Sequence, residues 1–276
     1  AIGDFSETIR LNPSFVEAYN NRGAAYSARG DYELAIRDLD QAIALKPMLA
    51  EAYSNRGMAY ASKGDHDRAI RDFNKAIELD TTFVSAYNQR ALAYSRKGDY
   101  DRAVRDFDKA IELDPKAAHA YTGRGIAYDE QGSLAKAISD FTKAVELGPK
   151  DAEAYCNRGL AHLKQRNLAK AISDYTKAIE LDPTSTVAYN NRGIAYYDRS
   201  IAHDSQGNLA KAISDCTMAI KLDPKYAEAY HNRAIGYYLG GNYDKAWADM
   251  RACQKLGGKV SAEFLADLRK ASGRKE

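Results

Sequence analysis

Residues 227–256 read AEAYHNRAIGYYLGGNYDKAWADMRACQKL, and the rest of the chain repeats this stretch with variations. Its Asn-Arg-Ala is one instance of a triplet whose arginines are Arg22, Arg56, Arg90, Arg124, Arg158, Arg192 and Arg233. Five of the six spacings are 34 residues, and the last, from Arg192 to Arg233, is 41. Seven units of 34 with seven inserted residues require 245 residues, the span from Val16 to Val260. A fixed period of this length is the signature of stacked supersecondary units rather than of one globular core.

Each unit reads as two helices. The first opens near Glu-Ala-Tyr (17–19, 51–53, 153–155, 228–230), and the second stops at Pro47, Pro115, Pro149, Pro183 or Pro224. Proline lacks the amide hydrogen and clashes with the preceding turn, so it marks a helix boundary. Gly30, Gly64, Gly98, Gly132, Gly207 and Gly241 stand between the helices, where positive φ ends a helix at little cost. Asp31, Asp65 and Asp99 follow as caps of the second helix. Two columns of small residues allow close helix approach. One is Gly23, Gly57, Ala91, Gly125, Gly159, Gly193 and Ala234. The other is Ala35, Ala69, Ala103, Ala137, Ala171, Ala212 and Ala246. Tyr19, Tyr26, Leu39, Leu45 and their equivalents supply apolar bulk that one helix pair cannot bury, so neighbours must stack.

This pattern of aromatic, Gly-x-x-Tyr, Gly-Asp-Tyr, Ala, aromatic, Ala and Pro resembles the tetratricopeptide repeat over essentially the whole chain. The resemblance implies an all-α fold, an α-solenoid of antiparallel helix pairs wound as a right-handed superhelix, with the first helices lining a concave groove. Residues 1–15 match only the second helix of a unit, through Ala1, Phe5 and Pro13. The expected division is then 16–49, 50–83, 84–117, 118–151, 152–185, 186–226 with the insertion, and 227–260. Residues 261–276 form a capping helix and tail, with Phe264, Leu265 and Leu268 inward and Arg269 and Lys270 outward.

The resemblance places the residue before each arginine on the groove: Asn21, Asn55, Gln89, Gly123, Asn157, Asn191 and Asn232. A carboxamide bonds both C=O and N–H of an extended backbone. Packed helices lie about 8–10 Å apart and an extended chain advances about 3.3 Å per residue. Such a ladder would clamp a peptide at every third residue or so, and Gly123 breaks it. The column resembles the asparagine ladder in the repeat superhelix of the O-linked N-acetylglucosamine transferases. The alternative is that the amides bond neighbouring helices or water. One turn on, Ala24, Met58, Leu92, Ile126, Leu160, Ile194 and Ile235 either touch a ligand or pack between units. A carboxylate clamp of the kind used by chaperone-binding relatives is not expected, because the faces concerned carry Asn20, Ser54, Asn88, Thr122 and Cys156.

The arginine column has a partner in Asp38, Asp72, Asp106, Asp140, Asp174, Asp215 and Asp249. A lone guanidinium near a packed interface is costly, so bidentate Arg–Asp pairs are expected. The insertion, Asp198 to Asp204, is about two helical turns and would lengthen a first helix without rotating its face.

Composition excludes several function classes. Lys and Arg number 40 against 38 Asp and Glu, with no basic block, so nucleic acid is not an expected partner. No apolar run approaches a membrane span, and no signal peptide is visible. Cys156, Cys216 and Cys253 are too few and too widely spaced for a disulfide framework or zinc site. His66, His119, His162, His203 and His231 fall in different columns, His162 in the Tyr26 core column. Phosphate-binding, zinc-hydrolase and dinucleotide fingerprints are missing. The expectation is a non-enzymatic, cytoplasmic scaffold without metal or cofactor that binds a protein or peptide in its groove. Two alternatives stand beside it. One is a recruiting region of a larger enzyme such as a glycosyltransferase. The other is end-to-end self-association through the apolar face of Ile2, Phe5 and Ile9 in the N-terminal half-unit.

Overall fold

The computed structural model describes residues 1–203 and 206–274; of the insertion, Asp204 lies outside the described residues. These fold into sixteen helices. The chain divides into two compact units, residues 1–143 and 144–276. The first contains α1 (Ile2–Leu11), α2 (Val16–Arg29), α3 (Tyr32–Leu45), α4 (Ala50–Ser62), α5 (His66–Leu79), α6 (Val84–Arg96), α7 (Tyr100–Leu113) and α8 (Ala118–Glu130). The division falls within α9 (Leu134–Leu147). The second contains α10 (Ala152–Lys164), α11 (Leu168–Leu181), α12 (Thr186–His203), α13 (Gln206–Leu222), α14 (Ala227–Leu239), α15 (Tyr243–Lys255) and α16 (Ala262–Ser272).

Within each unit every helix packs on the next in sequence, as helix–turn–helix pairs. The turn inside a pair has one demanding position. Gly30, Gly64, Gly98, Gly132 and Gly241 occupy it with φ between 72° and 91°. Arg166 holds the same position at φ 63°, where the side chain strains the backbone. Gly207 departs from the expected place: it lies inside α13, because the insertion is shared between two helices. α12 has 18 residues and α13 has 17, whereas α10 and α11 have 13 and 14. The first helix of that pair does lengthen, but it does not absorb the insertion alone. Asp65 and Asp99 cap their helices, accepting from Arg68 N and Arg102 N at 3.0 and 3.1 Å. Asp31 does not cap; its carboxylate pairs with Arg29 instead.

The turn after several second helices is held by a local side chain. Asp114, Asp182 and Asp223 accept the backbone N–H two residues on at 2.9–3.0 Å, and Pro115, Pro183 and Pro224 follow them directly. A short polar side chain thus mimics a backbone turn where the helix can no longer continue.

The core follows the small-residue columns. Ala35, Ala69, Ala103, Ala137 and Ala171 are fully buried. A Cβ on Gly23 would stand 2.7 Å from Leu39 Cγ, and one on Gly125 would stand 2.6 Å from Phe141 Cε1. The bulky apolar side chain of the second helix, Leu39 or Phe141, thus rests directly on the first-helix backbone. α16 packs on α15: Leu268 is fully buried and packs with Phe264 and Leu265 on Trp247 and Met250. Ser261 caps α16 through Phe264 N at 3.0 Å, while Arg269 and Lys270 are exposed.

Candidate functional site

Each arginine of the repeated triplet ties its helix to the second helix of its pair, and six of the seven also reach the preceding second helix. Its Nε and Nη2 donate to both carboxylate oxygens of the second-helix aspartate: Arg22–Asp38 at 2.6 and 2.8 Å, Arg90–Asp106 at 2.7 and 2.6 Å, Arg192–Asp215 at 2.8 Å twice. Arg56, Arg124, Arg158 and Arg233 do the same with Asp72, Asp140, Asp174 and Asp249. These are the bidentate pairs expected from the sequence. A third bond, unforeseen, runs from Nη1 to the preceding second helix, as in Arg22–Ser6 at 3.0 Å, Arg90–Asn74 at 2.7 Å and Arg233–Thr217 at 3.2 Å. The guanidinium also lies over the tyrosine three residues earlier, 5.4–5.9 Å from the ring centroid in all seven cases. The signal was present at fixed offsets of three and sixteen residues before each arginine. Hydrogen bonding to the aspartate holds the Arg56 and Arg124 guanidinium above its ordinary range, against the opposing cost of burial. These arginines are therefore committed to the scaffold and are not available to a ligand.

That commitment orients the residues on either side. In the first unit α2 touches α4, α4 touches α6 and α6 touches α8. In the second, α10 touches α12 and α12 touches α14. No pair of second helices makes comparable contact among the described residues. The first-helix layer is the more closely spaced of the two, so in each unit it is the inner, concave side.

The predicted amides lie on this layer in different states. Asn21 is exposed, and Gln89, Asn157, Asn191 and Asn232 are half-buried. Asn55 is buried, and its Nδ2 donates to Asn20 Oδ1 on α2 at 3.0 Å. Asn232 Nδ2 donates to Asn190 Oδ1 on α12 at 2.9 Å. The neighbouring Asn20, Asn88 and Asn190 are deeply buried; Asn20 and Asn190 partner the ladder, whereas Asn88 pairs with His119 at 2.9 Å. The Nδ2 of Asn157 is buried with no hydrogen-bond partner among the described residues. The break at Gly123 has a packing cause, since a Cβ there would stand 2.4 Å from Phe107 Cζ. In the apolar column Leu92 and Ile126 are exposed, whereas Met58 packs against the Ala69, Phe73 and Ala93 cluster.

The second unit gathers several of these groups around one pocket of about 340 Å³. Asn190, Asn191, Ile194 and Asn232 line it from α12 and α14, and Tyr226, Glu228, His231, Cys253, Gly258 and Lys259 complete it. Glu228 is the Glu of the recurring Glu-Ala-Tyr, whereas Tyr226 and Lys259 carry no repeat signature. The Gly258–Lys259 connection brings the last of them in, and only the fold of that connection reveals it. A Cβ on Gly258 would stand 2.4 Å from Cys253 Sγ, so the connection lies directly on α15. His231 Nδ1 donates to Lys259 O at 3.2 Å and its ring stacks on Phe264, with centroids 6.0 Å apart.

The remaining titratable groups are structural. His162 is buried in the core column expected for it, and burial lowers its pKa. Burial pushes the Cys156 thiol up to about 11 and Cys216 to about 12. Among the described residues no group of three His, Cys, Asp or Glu is placed to hold a metal ion. No described helix is long and apolar enough to cross a membrane.

Models of the tetratricopeptide repeat match residues 5–37, 50–83, 88–152, 152–185 and 174–214, and a TPR repeat model matches 25–64. No curated protein matches the sequence. Among solved structures, a tetratricopeptide repeat protein from Parabacteroides merdae superposes with a TM-score of 0.66 at 19% identity, covering 94% of this chain and 99% of that one. YrrB, described as a TPR protein with an unusual peptide-binding site, has a TM-score of 0.54 at 25% identity over 68% of this chain and 97% of its own. Yeast Tom70 has a TM-score of 0.61 at 21% identity, and this chain, matched over 99% of its length, covers 57% of it.

Proposed function

Because the chain belongs to the tetratricopeptide repeat family, we propose that it is a non-catalytic scaffold that binds an extended protein segment along its first-helix face. The amides at Asn21, Asn55, Gln89, Asn157, Asn191 and Asn232 contact the guest backbone. The observation that supports this reading is that Asn21 is exposed and Gln89, Asn157, Asn191 and Asn232 are half-buried on the first-helix layer, which leaves a row of amides within reach of a guest backbone. Asn55 and Asn232 each spend one donor on a neighbouring helix and keep an oxygen for the guest N–H. Exposed Leu92 and Ile126, one turn away, add apolar contact without demanding a particular side chain. The peptide-binding site named for YrrB supports the same class of ligand.

Head-to-tail stacking of copies is a weaker reading, and the register opposes it. α1 stands in the second-helix register and α16 in the first-helix register. At the α16 positions equivalent to Arg233 and Ala234 stand Asp267 and Leu268. A composite repeat would set Asp267 against Asp4 and Leu268 against Phe5, giving charge repulsion in place of a salt bridge and bulk in place of a small residue.

Fluorescence anisotropy with labelled decapeptide pools tests the proposal. Each lost amide bond removes about 0.5–1.5 kcal/mol, so a chain carrying Asn21, Asn55, Asn157, Asn191 and Asn232→Ala should bind at least tenfold more weakly. Circular dichroism would verify that it remains folded. Unchanged binding by the folded variant removes the ladder from the account.

A further inference from the structure

We propose that the pocket bounded by α14 and the Gly258–Lys259 connection selects one basic side chain, Lys or Arg, of the bound segment. This rests on the peptide-binding reading above and names what that groove prefers. The polar groups of the pocket are biased toward accepting hydrogen bonds. Asn232 donates through Nδ2 to Asn190, which leaves its Oδ1 with no donor among the described residues. His231 must carry its proton on Nδ1 to bond the Lys259 carbonyl, so its Nε2 is an acceptor. Glu228, in the first turn of α14, adds an exposed carboxylate at the mouth. Lys259, the one cation in the lining, contributes its carbonyl to His231 and has an exposed side chain.

The electrostatics point the same way. Burial raises the pKa of the Tyr226 hydroxyl, Glu228 adds to it, as do Cys216 and Asp223, and a hydrogen bond with Asn190 opposes the shift. Glu228 likewise adds to burial in raising Cys253. Glu228 thus acts on two of the groups that line the pocket. Ile194 on the opposite wall provides an apolar surface for an aliphatic stem. The volume of about 340 Å³ exceeds what one long side chain fills, leaving room for bridging water. An acidic side chain would meet Glu228 and two acceptors, with Lys259 alone to offset them.

The test uses the full chain and four decapeptide pools, each with one central residue (Lys, Arg, Gln or Glu) among random Ala, Ser, Thr and Gly. Anisotropy should show Lys and Arg pools binding about tenfold more tightly than Gln, with Glu weakest. Glu228→Gln should remove that preference while leaving the Gln pool unchanged, and Asn157→Ala should weaken all pools alike. A preference for Glu assigns the pocket to Lys259 and overturns the proposal, as does an unaltered Lys preference in Glu228→Gln. Equal binding of all four pools overturns this inference and leaves the ladder standing. Absence of binding by every pool overturns both.

Discussion

The Arg–Asp–Tyr spine makes its sharpest prediction at Arg90. Its guanidinium bonds both oxygens of Asp106 and Asn74 Oδ1, and sits 5.6 Å from the Tyr87 ring centroid. The Arg90 and Asp106 side chains are only 17% and 10% exposed. Asp106→Ala leaves that charge largely buried without its counter-ion, a change that costs about 3–5 kcal/mol in a protein interior. Asn74, Tyr87 and the residual exposure retain part of the stabilisation, so the lower end, about 3 kcal/mol, is expected. Replacing both partners, Arg90→Leu with Asp106→Ala, removes the stranded charge and should cost no more than about 1 kcal/mol, because a buried pair and an apolar substitute are close in energy. The coupling between the two sites is then at least about 2 kcal/mol. A repeat array need not unfold in one step, so the assay is hydrogen exchange of α6 and α7, read beside urea unfolding of the full chain. If Asp106→Ala costs under about 1 kcal/mol, or if the double variant is as damaged as the sum of the singles, the pair is not what holds these helices in register.

Two further outcomes test the packing. Gly125→Ala places a Cβ 2.6 Å from the Phe141 ring and should lower stability by about 1–3 kcal/mol through overpacking. Gly64→Ala has open space but φ 86°, and should cost about 1–2 kcal/mol through the backbone alone; urea denaturation of both gives the comparison. Burial lowers the pKa of His162, so the unfolded chain takes up its proton first as pH falls. Stability from keeping this ring neutral is complete above about pH 6.5 and declines as pH drops toward the lower folded value. His162→Tyr, which restores the residue of that column, should remove this part of the acid dependence in thermal melts between pH 5 and about 7.5; an unchanged pH profile would contradict it.

The sequence by itself determined the helix pairs, because its constraints recur from unit to unit and are local. A proline past most second helices, a glycine at positive φ in most turns and an alanine where backbones touch say where a helix stops and which face is covered. The Arg–Asp pairs were legible for the same reason: a charge recurring in a packing column demands a recurring counter-charge. The readings that failed are those in which one position escapes the pattern. Asp31 turned to Arg29, and Gly207 entered α13 once the insertion was shared by two helices.

Only the tertiary structure decided how the amide column is used. A carboxamide donates and accepts with equal ease, so its identity does not say whether its partner is a neighbouring helix or a guest. Spacing places Asn55 and Asn157 in one column, yet the first is tied to Asn20 and the second is left without a partner. The pocket beside Asn232 lay further from view. Glu228 belongs to the recurring Glu-Ala-Tyr, but Tyr226 and Lys259 belong to no column singled out by the repeat, and the three meet because the connection after α15 lies on that helix through a glycine too close for any side chain. Periodicity records what every repeat must satisfy, whereas this pocket depends on the particular connection between α15 and α16.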